Sequence, residues 1–156
     1  MALKLDVTVA AIVERDGRFL VVQERAARRV VLNQPAGHLE DGESLSQAVV
    51  RETLEETGYA FMPQAVTGLY LWRGPSERTF LRVAFNGRVG DREESVRLDR
   101  AVIRVIWLDR DQLQNRQAEL RSPLVLRCID DYLCGVRYPL EVLSHLQPAP
   151  ARAAVS

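Results

Sequence analysis

Glu52, Glu55 and Glu56 follow one another at a spacing of three and four residues in the run RETLEETG. On a helix that spacing stacks three carboxylates on one turn, where each like-charge pair costs about 0.2–0.5 kcal/mol. The chain as a whole has no surplus of acid: 21 acidic side chains balance 21 basic ones. Two kinds of chemistry fit such a cluster. One is a solvated helix face. The other is a site for a hard cation such as Mg²⁺, or Mn²⁺ in its place, which takes oxygen ligands and retains water and substrate phosphate. A helical wheel bears on the choice but leaves both readings open, since surface glutamates are common. Leu45, Ala48 and Val49 form one apolar stripe, and the three glutamates continue it toward the C-terminal end. A solvated acidic face lies opposite the apolar one. The wheel therefore places the carboxylates in a cleft or against a sheet edge, where they need protons or a cation.

The elements around this helix follow from pattern. Leu45 to Thr57 is helical, with Ser44 and Gln47 in capping-box positions and Gly58 just past the end. LDVTVAAIV and RFLVVQE, joined by Asp16-Gly17, form a β-hairpin. ERAARRVVLNQPAGH reads as a loop or a short irregular strand. Strands are expected near Val66–Trp72, Thr79–Phe85 and Val102–Trp107, separated by the loops RGPSER and NGRVGDREESVR. A second helix begins near Asp109, and RSPLVLRCIDDYLCG gives a third, with Ser122 as N-cap and Pro123 at its first position. The whole is an α/β arrangement with a mixed sheet between helices. Residues 1–145 are expected to form one domain, and 146–156, rich in Pro and Ala, a disordered tail.

The segment from Gly37 to Gly58 resembles the Nudix box at every polar and glycine position: Gly37, Glu43, Arg51-Glu52, Glu55-Glu56 and Gly58. Thr53 departs from the aliphatic residue usual there, which touches packing more than chemistry. Beyond the box, VTVAAIV, FLVV, NQPAGHLE, LRSPLV and RYPLE look like the NudJ-type phosphatases within the Nudix hydrolase family. The resemblance spans about Leu5 to Leu143 and implies a Nudix-type α/β/α sandwich. It also implies hydrolysis of phosphoric anhydrides with a divalent cation. Glu52, Glu55, Glu56 and the Gly37 carbonyl are then the metal ligands, and Arg51 braces Glu43. Glu52 is also the candidate to orient or deprotonate water. A further carboxylate often comes from a downstream loop. Asp99 is the candidate, with Glu93 and Glu94 behind it, against a plain solvated loop for each.

Substrate contacts read less sharply. Arg25, Arg28 and Arg29 could clamp phosphates or lie in a solvated loop. Arg82 points either into the cleft from its strand or outward to solvent. Trp72 and Phe80 could stack on a base or pyrimidine ring, although aromatic residues on strands are more often core. His38 is expected to hydrogen-bond within its loop, and RYPLE to close the domain. NudJ-like activity would release orthophosphate from nucleoside tri- and diphosphates and from hydroxymethylpyrimidine diphosphate. The alternatives are a nucleotide pyrophosphatase that releases diphosphate or cleaves nucleotide sugars, and a Nudix-fold ligand sensor without turnover.

Zero net charge gives no footprint for a nucleic-acid polymer. No run approaches the ~18 apolar residues of a membrane span, and the N-terminus lacks the plan of a signal peptide. A small-molecule partner in the cytoplasm is the expectation, with the oligomeric state open and a homodimer among the options. Cys128 and Cys134 suggest no disulfide framework.

Overall fold

The computed structural model describes residues 1–147. Strands β1 (Leu5–Arg15) and β2 (Arg18–Ala26) meet in a hairpin whose turn residues, Asp16 and Gly17, have φ of 52° and 74°. Two consecutive positive φ values match the right-handed twist of the flanking strands, which is why Asp-Gly suits the position. The hairpin pairs only at its tip, Glu14 with Phe19 and Arg15 with Arg18. Beyond it the two strands diverge into separate halves of a seven-stranded mixed sheet. On one side β1 runs parallel to β6 (Thr79–Arg92) and antiparallel to β4 (Ala36–His38), and β6 pairs with β5 (Tyr59–Arg73). On the other side β2 pairs with β3 (Arg29–Asn33) and β7 (Val102–Leu108).

Alternation along the strands sorts side chains onto two faces. Val9, Ala11, Val13, Leu20, Val83 and Phe85 bury one face together with Ala48 and Val49 of helix α1 (Leu45–Thr57). Ile12, Phe19, Val21 and Ala84 bury the other with Leu113 of α2 (Arg110–Asn115) and Val125, Cys128 and Ile129 of α3 (Leu124–Leu133). The result is the α/β/α sandwich expected. The RYPLE segment closes one edge: Tyr138 and Val66 exchange two backbone hydrogen bonds of 2.8 Å, and Leu140 and Leu143 pack on the α1-side core.

Three local expectations need correction. ERAARRVVLNQPAGH, expected as a loop or one short irregular strand, holds a second hairpin, β2 to β3, turning at Ala27 with φ 52°, followed by β4. Strand β5 begins at Tyr59, well before Val66, and β6 continues to Arg92, so half of NGRVGDREESVR is paired strand. Bulges in β5 near Phe61, Pro63 and Val66 break the period-two pattern that would have revealed it. Helix α3 starts at Leu124, with Pro123 as the flanking residue, and Ser122 Oγ accepts from Leu124 N at 3.2 Å. Most of the 146–156 tail lies outside the described residues.

Candidate active site

Helix α1 begins with the full capping box. Gln47 N donates to Ser44 Oγ at 3.1 Å, and Ser44 N donates to Gln47 Oε1 at 2.8 Å. It ends at Gly58, whose φ of 76° is the left-handed conformation a C-terminal stop requires. Between these stops the helix presents its acids to β4 and to the loop that follows it. The wheel holds for two of them: Glu52 is half-buried and Glu56 is 7% exposed. It fails for Glu55, whose side chain is exposed because Thr53 takes the inward position instead. Thr53 pays for that burial locally, donating its hydroxyl to Val49 O at 2.7 Å.

Gly37 explains how Glu52 comes so close to β4. A Cβ added there would fall on the Glu52 carboxylate, so no other residue leaves room for it. Arg51 then ties the cluster together. Its Nη2 donates to Glu43 Oε1 at 2.7 Å and to His38 O at 3.0 Å, and its Nε to Glu43 Oε2 at 3.0 Å. Its Nη1 donates to Glu52 Oε1 at 2.9 Å and to Glu55 Oε2 at 3.3 Å. The forked contact with Glu43 is the strong charge-assisted kind. It holds the Glu43 carboxyl below its ordinary range and raises the guanidinium in turn. His38 contributes its main-chain carbonyl; its side chain is exposed.

The deeper carboxylates shift the other way. Burial raises Glu56 well above the ordinary carboxylate range, and Glu24 and Glu52 add to the rise. Ala36 N, donating at 3.2 Å, offsets only part of it. Burial also raises Glu52 despite its bond to Arg51. Among the described residues no three acidic, histidine or cysteine side chains converge tightly enough to enclose an ion. The donor set nonetheless fits a hard divalent cation: carboxylate oxygens only, two of them raised above the ordinary carboxylate range chiefly by burial.

A cleft of about 380 Å³, which shares Gly37 and His38 with this cluster, runs across the sheet face that α3 covers. Its near end is Ala36, Gly37, His38 and Glu24; its far end is Trp72 and Phe80. Those two rings are partly buried and stacked at 5.8 Å between centroids and 25° between planes. Both line the cleft, and Trp72 also packs against the α3-side core. Arg25 lines the cleft beside Glu24. Arg82 is 6% exposed and points inward to the cleft floor, which settles its orientation. Arg28 and Arg29 are exposed and lie outside the cleft; Arg29 Nη2 reaches Arg121 O at 3.4 Å and borders the adjoining hollow. Asp99 is exposed. Its Oδ1 accepts from Ala101 N at 2.8 Å and its backbone N–H donates to Glu55 O at 2.9 Å, while its charge helps to raise Glu56. Glu93 and Glu94 are exposed loop residues.

Glu24, Asn33 and Arg121 of this cleft, and Gln34 behind Arg82, went unremarked in the sequence. Glu24 is buried, pairs with Arg121 at 2.9 Å and raises Glu56. Asn33 and Gln34 hold Arg82 from the end of β3. A signal for Glu24 was available: it continues the Leu20–Val22 face of β2 at period two. The others depend on pairings between distant segments.

Comparison with known proteins agrees with this geometry. The family model described as NUDIX domain matches residues 3–128. The phosphatase NudJ of Escherichia coli strain K12 is 38% identical over 140 residues, covering 90% of this chain and 91% of that protein. A NUDIX hydrolase from Nitrosomonas europaea superposes with a TM-score of 0.89 at 46% identity, covering 92% of this chain and 98% of that one. A MutT protein from Methanosarcina mazei Go1 shares the fold, with a TM-score of 0.68 at 22% identity, over 86% of this chain and 98% of that one.

Proposed function

The chain belongs to the Nudix hydrolase family, whose members act on phosphoric anhydrides and typically need a divalent metal; from that premise we propose a Mg²⁺-dependent, NudJ-like phosphatase. Its substrates are organic diphosphates and nucleoside tri- and diphosphates, and its product is orthophosphate. Hydroxymethylpyrimidine diphosphate is one compound of this kind. The observation that supports the reading best is the desolvated pair Glu52, against Gly37, and Glu56, against Ala36 N, where Ala36 and Gly37 line one end of a cleft whose other end is aromatic. The 38% identity to NudJ supports the choice of product.

Glu52, Glu56 and the Gly37 carbonyl would hold the cation, with Glu55 and Asp99 on its solvent side. Bound there, it supplies charge neutralisation on the diphosphate oxygens and a lowered pKa for water. The chain's own groups do the rest. Arg51 fixes Glu43 and Glu52 in place. Glu52 would orient, or take the proton of, the water that attacks phosphorus, while the P–O–P bridge breaks and its oxygen leaves on the other phosphate. Arg25 lies where it can meet the phosphates, and Trp72 with Phe80 offers a face to a ring. The roles first given to Arg28 and Arg29 find no support in their placement. Two free thiols, Cys128 and Cys134, suit a reducing cytoplasm.

The test is incubation with Mg²⁺ and a panel of diphosphates and nucleotides, with orthophosphate resolved from diphosphate. Orthophosphate from each diphosphate is expected. Diphosphate as the main product from triphosphates would reject the NudJ-like reading, and no turnover on any compound would favour a ligand sensor.

A further inference from the structure

Arg82 is the one arginine buried among the described residues, and it makes no ion pair within them. Its Nη1 donates to Gln34 Oε1 at 3.1 Å and its Nη2 lies 3.5 Å from Asn33 Oδ1, both neutral amides. Gln34 is itself fixed by donating Nε2 to Val125 O of α3 at 2.7 Å. The Arg82 Nε has no hydrogen-bond partner, and the polar group beside it is the Cys128 thiol. Burial disfavours the charged guanidinium, and nearby Arg121 adds to the strain. The buried carboxylate of the cleft, Glu24, is already paired with Arg121 at 2.9 Å. A desolvated cation held by neutral amides stabilises no fold; hydrophobic residues of the same volume commonly do better. Its position is explained if an anion arrives to match it.

The register shows where that anion would sit. Thr8 pairs with His38 on one side and with Arg82 on the other, so Arg82 stands two strands, about 10 Å, from the acidic end. Phe80 lies two residues away on the same face of β6, about 7 Å along the strand. Arg121 projects over the cleft from the segment before α3. Two guanidinium groups thus stand in the cleft between the cation end, which Glu24 borders, and the ring end.

We propose that Arg82 and Arg121 form a cation-independent anion subsite for the phosphate joined to the organic moiety, and so select substrates that carry a phosphate there. The inference rests on the phosphohydrolase reading for the word substrate, but not for the binding itself. The leaving phosphate then stays on the protein through arginine contacts while the reacting one sits over Glu52 and Glu56.

The experiment titrates inorganic pyrophosphate into the protein in EDTA, followed by thermal shift and calorimetry. The wild-type protein is expected to bind. Arg82→Met is expected to keep or raise the Tm of the anion-free protein and to bind pyrophosphate at least ten-fold more weakly. Arg121→Gln, at a half-exposed position from which the amide can still donate to Glu24, is expected to fold with a lowered Tm and to bind several-fold more weakly. With Mg²⁺ and a diphosphate ester, Arg82→Met raises KM more than it lowers kcat. Wild-type affinity in Arg82→Met overturns the subsite, as does failure of the wild-type protein to bind. If Arg82→Met does not fold, Arg121→Gln decides, and wild-type binding in it overturns the proposal. Pyrophosphate binding through Arg82 without turnover on any substrate would reject the phosphohydrolase reading and leave the subsite standing; turnover with unchanged binding in Arg82→Met would do the reverse.

Discussion

Gly37→Ala isolates the contact between β4 and the acidic helix. The glycine's φ is not in the left-handed region, so alanine meets no backbone strain. What it meets is the Glu52 carboxylate, the mobile end of a flexible side chain. Folding therefore suffers little: Glu52 shifts to another rotamer, or holds a poor one at about 0.5–1.5 kcal/mol. The displaced carboxylate loses its 2.9 Å bond to Arg51 and its place over β4. Disturbing a group that orients a metal site typically lowers affinity or activity about 10- to 100-fold, which is about 1.4–2.7 kcal/mol. The expected outcome is a Tm within a few degrees of wild type, with Mn²⁺ affinity and turnover each down by one to two orders of magnitude. Calorimetry, Mn²⁺ titration by electron paramagnetic resonance and phosphate release measure the three. A Gly37→Ala protein with wild-type Mn²⁺ affinity and turnover within two-fold would refute the claim that this glycine exists to admit Glu52.

Two further outcomes depend on pH. Glu43 is held below its ordinary value of 4.5 chiefly by Arg51, so it stabilises the fold above that pH and the contribution is lost as pH falls through its folded pKa. Acid unfolding curves of Glu43→Gln should be flatter in that region; curves parallel to wild type would contradict the pairing. Glu52 and Glu56 are raised instead, so a binding cation displaces protons from them. Apparent Mn²⁺ affinity should fall as pH drops toward the raised carboxylate values, with proton release on binding in weakly buffered solution. Affinity independent of pH across that interval would place the cation elsewhere.

The ends of α1 were legible because Ser44, Gln47 and Gly58 act through the local backbone alone. Alternation in β1 and β2 likewise fixed the two core faces. The start of β5 was not legible, since three bulges scramble its alternation and its pairing partner lies more than twenty residues away. In the site, Gly37, Arg51, Glu52 and Glu56 lie in one contiguous segment, and the resemblance of that segment to the Nudix box pointed to them. Glu55 was misplaced because the wheel ranks residues by type, and Thr53 buries its hydroxyl by bonding to the preceding turn. The Glu24–Arg121 pair joins residues 97 apart, and Arg82 with Gln34 joins residues 48 apart. No local pattern carries such pairs; only the sheet register brings them together.

The central claim is that Glu56 serves a cation and not the fold. Burial raises its folded-state pKa, so at neutral pH the ionised side chain destabilises the metal-free protein. Glutamine keeps an acceptor for Ala36 N and removes the charge. The decisive measurement is Mg²⁺-dependent phosphate release by purified Glu56→Gln, alongside its Tm in EDTA. The account predicts an equal or higher Tm and loss of most turnover. Near-wild-type turnover in the correctly folded variant would contradict it.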